Sequence, residues 1–182
     1  MRRTISIFCA SIFCLMVVPV AAAAGVNPKL HGSDVYFGYS RTASDTFYQG
    51  TGGQNGWNGA LHVHLAPFLG GEAEVSHYGI GANSNVPRTT AVLFGPRVTL
   101  KAARIGLFAH GLVGVDHTSN SNGSGTFGSV SQTGLGYALG GGVDLPVLPF
   151  FAWRVSADRI STTQSPAEGT KARFSTGLVF RF

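Results

Sequence analysis

The twelve residues Lys171-Ala-Arg-Phe-Ser-Thr-Gly-Leu-Val-Phe-Arg-Phe182 decide how this chain reads. Taken alternately, Ala172, Phe174, Thr176, Leu178, Phe180 and Phe182 share one face, and Arg173, Ser175, Gly177, Val179 and Arg181 share the other. A period of two, with one apolar face and one small or polar face, is the pattern of a β-strand. A last strand that finishes on an aromatic suits a closed barrel in lipid, where aromatic side chains sit at the membrane boundary.

Working outward from this strand, the same alternation recurs over about 34–41, 56–65, 69–78, 90–100, 105–117, 133–145 and 151–160. In the second of these, Trp57, Gly59, Leu61, Val63 and Leu65 oppose Asn58, Ala60, His62 and His64. In the fourth, Pro96 lacks a ladder donor and predicts a bulge. The connections run long, short, long, short, long, short, long: 42–55, 66–68, 79–88, 101–104, 118–132, 146–150 and 161–170. An antiparallel up-and-down meander makes that rhythm when tight turns lie at one end and polar loops at the other. Strands of about 10 residues, tilted, cross an apolar band of roughly 25 Å.

A soluble eight-stranded barrel, such as a lipocalin-like carrier, would put its apolar face inside. Here the large apolar residues share one face, and the other carries glycine, alanine and charge. A water-soluble core of Gly, Asp, Glu and Arg would not hold by burial, whereas the lumen of a narrow membrane barrel accommodates it. The expected fold is therefore all-β: an eight-stranded antiparallel up-and-down transmembrane β-barrel over residues 25–182, preceded by a cleaved signal peptide over residues 1–24. Arg2 and Arg3, the apolar stretch 5–20 and Ala22-Ala23-Ala24 supply the three parts of such a signal. Cys9 and Cys14 both fall inside it, so the mature chain offers no disulfide, zinc-thiolate or thiol nucleophile. Without Arg2 and Arg3, eleven Lys and Arg stand against eight Asp and Glu, dispersed and without a basic run, which argues against nucleic acid.

By alternation, Asp34, Glu72, Glu74, Asp144 and Asp158 face Arg97, Arg154, Arg173 and Arg181 inside the barrel. Buried charges must be paired, so a polar plug is the expected filling, with an ion pathway as the alternative. His62 and His64, with Glu72 and Glu74 on the partner strand, have the composition of a metal site, but paired lumen residues explain them as well; no cofactor or metal is expected. Gly123-Ser-Gly-Thr-Phe-Gly128 matches a G-x-G-x-x-G spacing without the helix that would give it meaning.

Several stretches resemble the bacterial outer-membrane β-barrel domain family, similar to the eight-stranded transmembrane domains of OmpA- and OmpX-type proteins. They are Gly106-Leu-Phe-Ala-His-Gly-Leu-Val-Gly114 with His117, Gly140-Gly-Gly-Val-Asp144, Arg154 through Asp158, and Arg173 to Phe182. The resemblance implies an outer-membrane location with both termini periplasmic, and a monomer among outer-membrane lipid and lipopolysaccharide. It also implies assembly by the barrel assembly machinery through the C-terminal strand with Phe180 and Phe182. With no peptidoglycan-binding domain after Phe182, wall tethering is not implied. The expected role is non-enzymatic, in envelope integrity or surface interaction through the long loops, with a small nonspecific or gated pore as the alternative. His117-Thr118-Ser119-Asn120 is similar to the H-x-S-N stretch of lipid A deacylases, but the acidic member of the triad is missing about a dozen residues on, so a lipid A-modifying hydrolase ranks third.

Overall fold

The computed structural model describes residues 32–44, 53–80, 88–102, 104–120, 130–163 and 170–182. The signal-peptide reading and the Gly123–Gly128 stretch lie outside the described residues. Eight strands follow in order: β1 (Asp34–Ser44), β2 (Asn55–His64), β3 (Leu69–Tyr78), β4 (Arg88–Ala102), β5 (Ile105–Asn120), β6 (Val130–Leu148), β7 (Phe151–Thr162) and β8 (Lys171–Arg181). Each pairs antiparallel with the next, and β1 pairs with β8, which closes the sheet into a barrel. Closure removes both sheet edges, the condition for a sheet to sit in lipid.

The seam is complete from Asp34↔Arg181 to Ser44↔Lys171. Two further bonds extend it: the Phe182 amide donates to the Ser33 carbonyl at 3.1 Å, and the Gly32 amide donates to the Phe182 carbonyl at 3.3 Å. The last residue is thus part of the ladder. Its ring joins Phe180 (6.1 Å), which also meets Phe151 (5.4 Å), in an aromatic cluster at the end of the barrel where β1 begins and β8 ends.

Strand existence and face follow the alternation; β3 has the expected bounds, β2 and β8 differ by one residue, and β1, β4, β5, β6 and β7 run further than it indicates. β6 continues past the expected 133–145 to Val130 and Leu148, leaving only residues 149 and 150 between β6 and β7. The expectation for Pro96 is corrected. The β4–β5 ladder passes from Phe94↔Val113 to Arg97↔His110 with its offset unchanged, so the proline inserts no extra residue. The register shift of the barrel lies between Pro146 and Leu148 instead, at the start of the tight β6–β7 turn.

The inside of the barrel is polar and tightly filled. Two small apolar clusters lie within it, Tyr36 with Ala60, Ala152 and Val179, and Ala91 with Leu93, Leu112 and Ala138. Close packing explains one glycine directly. A Cβ on Gly38 would fall onto the Tyr36 phenol and the Thr176 carbonyl, so the absence of a side chain at 38 is what lets the Tyr36 ring lie along the wall. The outside is an apolar belt that includes Phe37, Phe94, Val115, Leu139, Val155, Phe174 and Leu178, all exposed.

Candidate functional site

The lumen brings together side chains from all eight strands. Asp34 on β1 accepts from Arg154 (3.1 Å) and faces His62 Nδ1 (2.9 Å). Arg154 also donates to both oxygens of Asp144, from Nε at 2.7 Å and from Nη2 at 2.9 Å. Arg97 bridges Asp144 (3.3 Å) and Glu72 (2.9 Å). Glu72 meets His110 Nδ1 at 2.9 Å, and the opposite nitrogen of that ring meets Asp158, also at 2.9 Å. Asp158 accepts from Arg173 Nε (2.8 Å), and Arg173 forks onto Glu74 and reaches the Tyr78 hydroxyl (3.1 Å). Glu74 accepts from Asn58 at 3.3 Å, whose own oxygen faces the Tyr36 hydroxyl at 3.4 Å. The result is one uninterrupted chain of polar contacts along the barrel.

Its charges balance only with histidine included. Five of the six buried carboxylates among the described residues, Asp34, Glu72, Glu74, Asp144 and Asp158, meet three buried guanidiniums, Arg97, Arg154 and Arg173. A neutral imidazole has one donor, and His110 presents a nitrogen to a carboxylate on each side, which only the doubly protonated ring satisfies. Arg181 completes the set from the mouth of the barrel, 3.5 Å from Asp144 and with its side chain 37% exposed. Phe108 fills the space between two of the cations, its ring 4.0 Å from the Arg97 and 4.7 Å from the Arg154 guanidinium carbon.

The sequence-derived lumen set is therefore found in one place, with Arg181 at its rim rather than inside. His110, Phe108, Asn58, Tyr36 and Tyr78 belong to the same assembly and were missing from the set. Their signal was parity alone: His110 and Phe108 share the inward face with Gly106. Asp116, also inward, accepts from the Thr162 hydroxyl at 2.7 Å.

The metal composition around His62 and His64 is not assembled. The two rings meet edge-on at 4.3 Å, but His62 Nδ1 is taken by Asp34, and Glu72 and Glu74 are held by arginine and other partners. Among the described residues no group of three or more His, Cys, Asp or Glu could hold a metal. Nor does the His117–Ser119 pair gain a third member: His117 Nδ1 meets the Thr133 hydroxyl at 2.9 Å, where a hydrolase triad would place a carboxylate. Every Asp and Glu among the described residues is buried on the lumen side.

The profile of the outer membrane protein beta-barrel domain matches residues 10–182. The chain belongs to that family. Solved structures agree on the fold of this outer-membrane barrel. Neisserial surface protein A is 12% identical, with a TM-score of 0.61, over 83% of this chain and 96% of that one. Ail, the attachment invasion locus protein of Yersinia pestis, solved in complex with the heparin analogue sucrose octasulfate, is 21% identical, with a TM-score of 0.59, over 84% and 99%. The N-terminal β-barrel domain of Pseudomonas aeruginosa OprF is 13% identical, with a TM-score of 0.57, over 84% and 98%. No curated protein matches the chain by sequence.

Proposed function

We propose that this barrel is a non-enzymatic, monomeric outer-membrane protein whose lumen is a structural plug and whose work is done outside, in envelope integrity or surface interaction through the long connections. In this reading both termini are periplasmic, Phe180 and Phe182 form the end of the signal read by the barrel assembly machinery, and outer-membrane lipid and lipopolysaccharide surround the apolar belt.

The observation that carries the reading is the continuous chain of ion pairs and hydrogen bonds from His62 to Tyr36, with a member on every strand. An eight-stranded barrel has an interior just wide enough for side chains to fill. Opening a path through this one means separating buried charges, and breaking a buried pair costs roughly 3–5 kcal/mol. What is left to interact is the surface, where a rigid barrel holds the loop roots in place.

Planar-bilayer recording of the refolded mature chain tests it. Silent bilayers, in which heat-modifiable gel migration proves a folded barrel, are the expected result. Steady ion-selective openings would replace the plug with the small-pore reading.

A further inference from the structure

One outward-facing strip departs from the apolar belt. Val75, Val92, Val115 and Leu135 form one row across β3, β4, β5 and β6. The next outward row toward the end with the long connections is His77, Thr90, His117 and Thr133, and the row after it holds Arg88, Ser119 and Ser131. Two steps along the strands, the surface changes from aliphatic to imidazole, hydroxyl and guanidinium.

The imidazoles are held in place. His77 Nδ1 lies 2.8 Å from the Thr90 hydroxyl and His117 Nδ1 lies 2.9 Å from the Thr133 hydroxyl, each on the neighbouring strand. With the hydroxyl donating to Nδ1, Nε2 carries the hydrogen and is the ring's remaining donor. Arg88, exposed, stands one outward position beyond Thr90, on the strand between the two histidines. Ser119 sits beside Arg88, and the Trp57 ring lies 6.3 Å from His77 at the flank.

No carboxylate among the described residues faces outward, so nothing on this strip repels an anion or competes for Arg88. A guanidinium with nearby N–H donors matches phosphate oxygens. The interleaved hydroxyls of Thr90, Ser119, Thr133 and Ser131, with an indole beside them, match the edges and face of a sugar. The position matters too: on the proposed orientation the strip lies between the aliphatic rows and the long connections, the side on which outer-leaflet headgroups lie.

We propose that Arg88, His77, His117 and Ser119, positioned by Thr90 and Thr133, form a binding site for the phosphorylated sugar headgroup of an outer-leaflet glycolipid. The site rests on the orientation proposed above, with the long connections outside. It also accounts for the His117–Ser119 spacing: the pair binds the glycolipid and does not cut it.

Native mass spectrometry of the detergent-refolded chain tests the site with three probes: bis-phosphorylated lipid A, the same lipid stripped of its phosphates, and phosphatidylglycerol. Adducts with the first, at least tenfold weaker with the other two, are expected. Arg88→Gln and the double variant His77→Gln/His117→Gln should each weaken the lipid A adduct about fivefold, the scale of one headgroup-level cation. Arg41→Gln, an exposed outward arginine on β1 at the same end of the barrel, should leave it unchanged. Equal binding of phosphatidylglycerol, or an equal loss in Arg41→Gln, overturns the proposal in favour of diffuse attraction to any anionic lipid. The comparison among lipids uses the unaltered chain, so it stands even if a variant fails to fold. A tag in the 121–129 connection, labelled on intact cells, reads the orientation separately. Labelling from outside without a lipid A preference sinks the site alone, and absence of labelling sinks the orientation on which it rests.

Discussion

The Arg97 guanidinium lies 4.0 Å above the ring of Phe108, inside the barrel. Arg97 is 1% exposed and Phe108 is 7% exposed, so the aromatic face replaces water that the cation gave up. Phe108→Leu keeps bulk and loses the face, and should lower unfolding free energy by about 1 kcal/mol. Phe108→Ala adds a void and should cost about 3–5 kcal/mol. Urea unfolding in lipid vesicles reads both, and equal effects would mean that the ring acts by volume alone.

Arg97 and Arg181 both reach Asp144, from very different surroundings. Arg97→Ala takes one of two buried cationic partners from each of Glu72 and Asp144 and should cost roughly 3–5 kcal/mol. Arg181→Ala, at the solvent-accessible mouth, should cost less than about 1 kcal/mol. A melting temperature unchanged in Arg97→Ala would show that the network does not hold the barrel together.

His110 joins the two halves of the network through Glu72 and Asp158. His110→Leu leaves two carboxylates without their shared cation and should destabilise the barrel by about as much as the loss of Arg97. Glu72→Gln in that background removes one carboxylate charge that has lost a partner, leaving Arg97 its bond to Asp144, and should restore part of the loss. If the double variant is no more stable than His110→Leu, the coupling through Glu72 is absent.

The apolar belt can be measured by depth. Leu139 is 71% exposed at the middle of β6, and Thr133 lies in the histidine row near the end of the same strand. In vesicles, Leu139→Arg should cost about 2–4 kcal/mol and Thr133→Arg about 0–1 kcal/mol, the difference between midplane and interface. Equal costs would place the lipid boundary elsewhere on the barrel.

The inward and outward sets were legible in the sequence because a strand sends successive side chains to opposite faces, whatever its neighbours do. That rule alone separates Phe174 from Arg173 and Leu139 from Gly140. Strand ends were less legible: β6 runs on through Pro146 because the tight turn to β7 and its register shift are made by pairing.

Alternation along the chain thus determined the fold, the polarity of each wall and the inward placement of Asp34, Glu72, Glu74, Asp144, Asp158, Arg97, Arg154 and Arg173. Only the tertiary structure decided who meets whom. Arg154 reaches Asp34, 120 positions away, and His110 bridges Glu72 and Asp158, each of which also takes an arginine. Strand tilt and stagger set the height of each inward residue, and parity carries no information about height. The same stagger draws His77, Thr90, His117 and Thr133 into one row from four separate strands, which no single stretch of sequence contains.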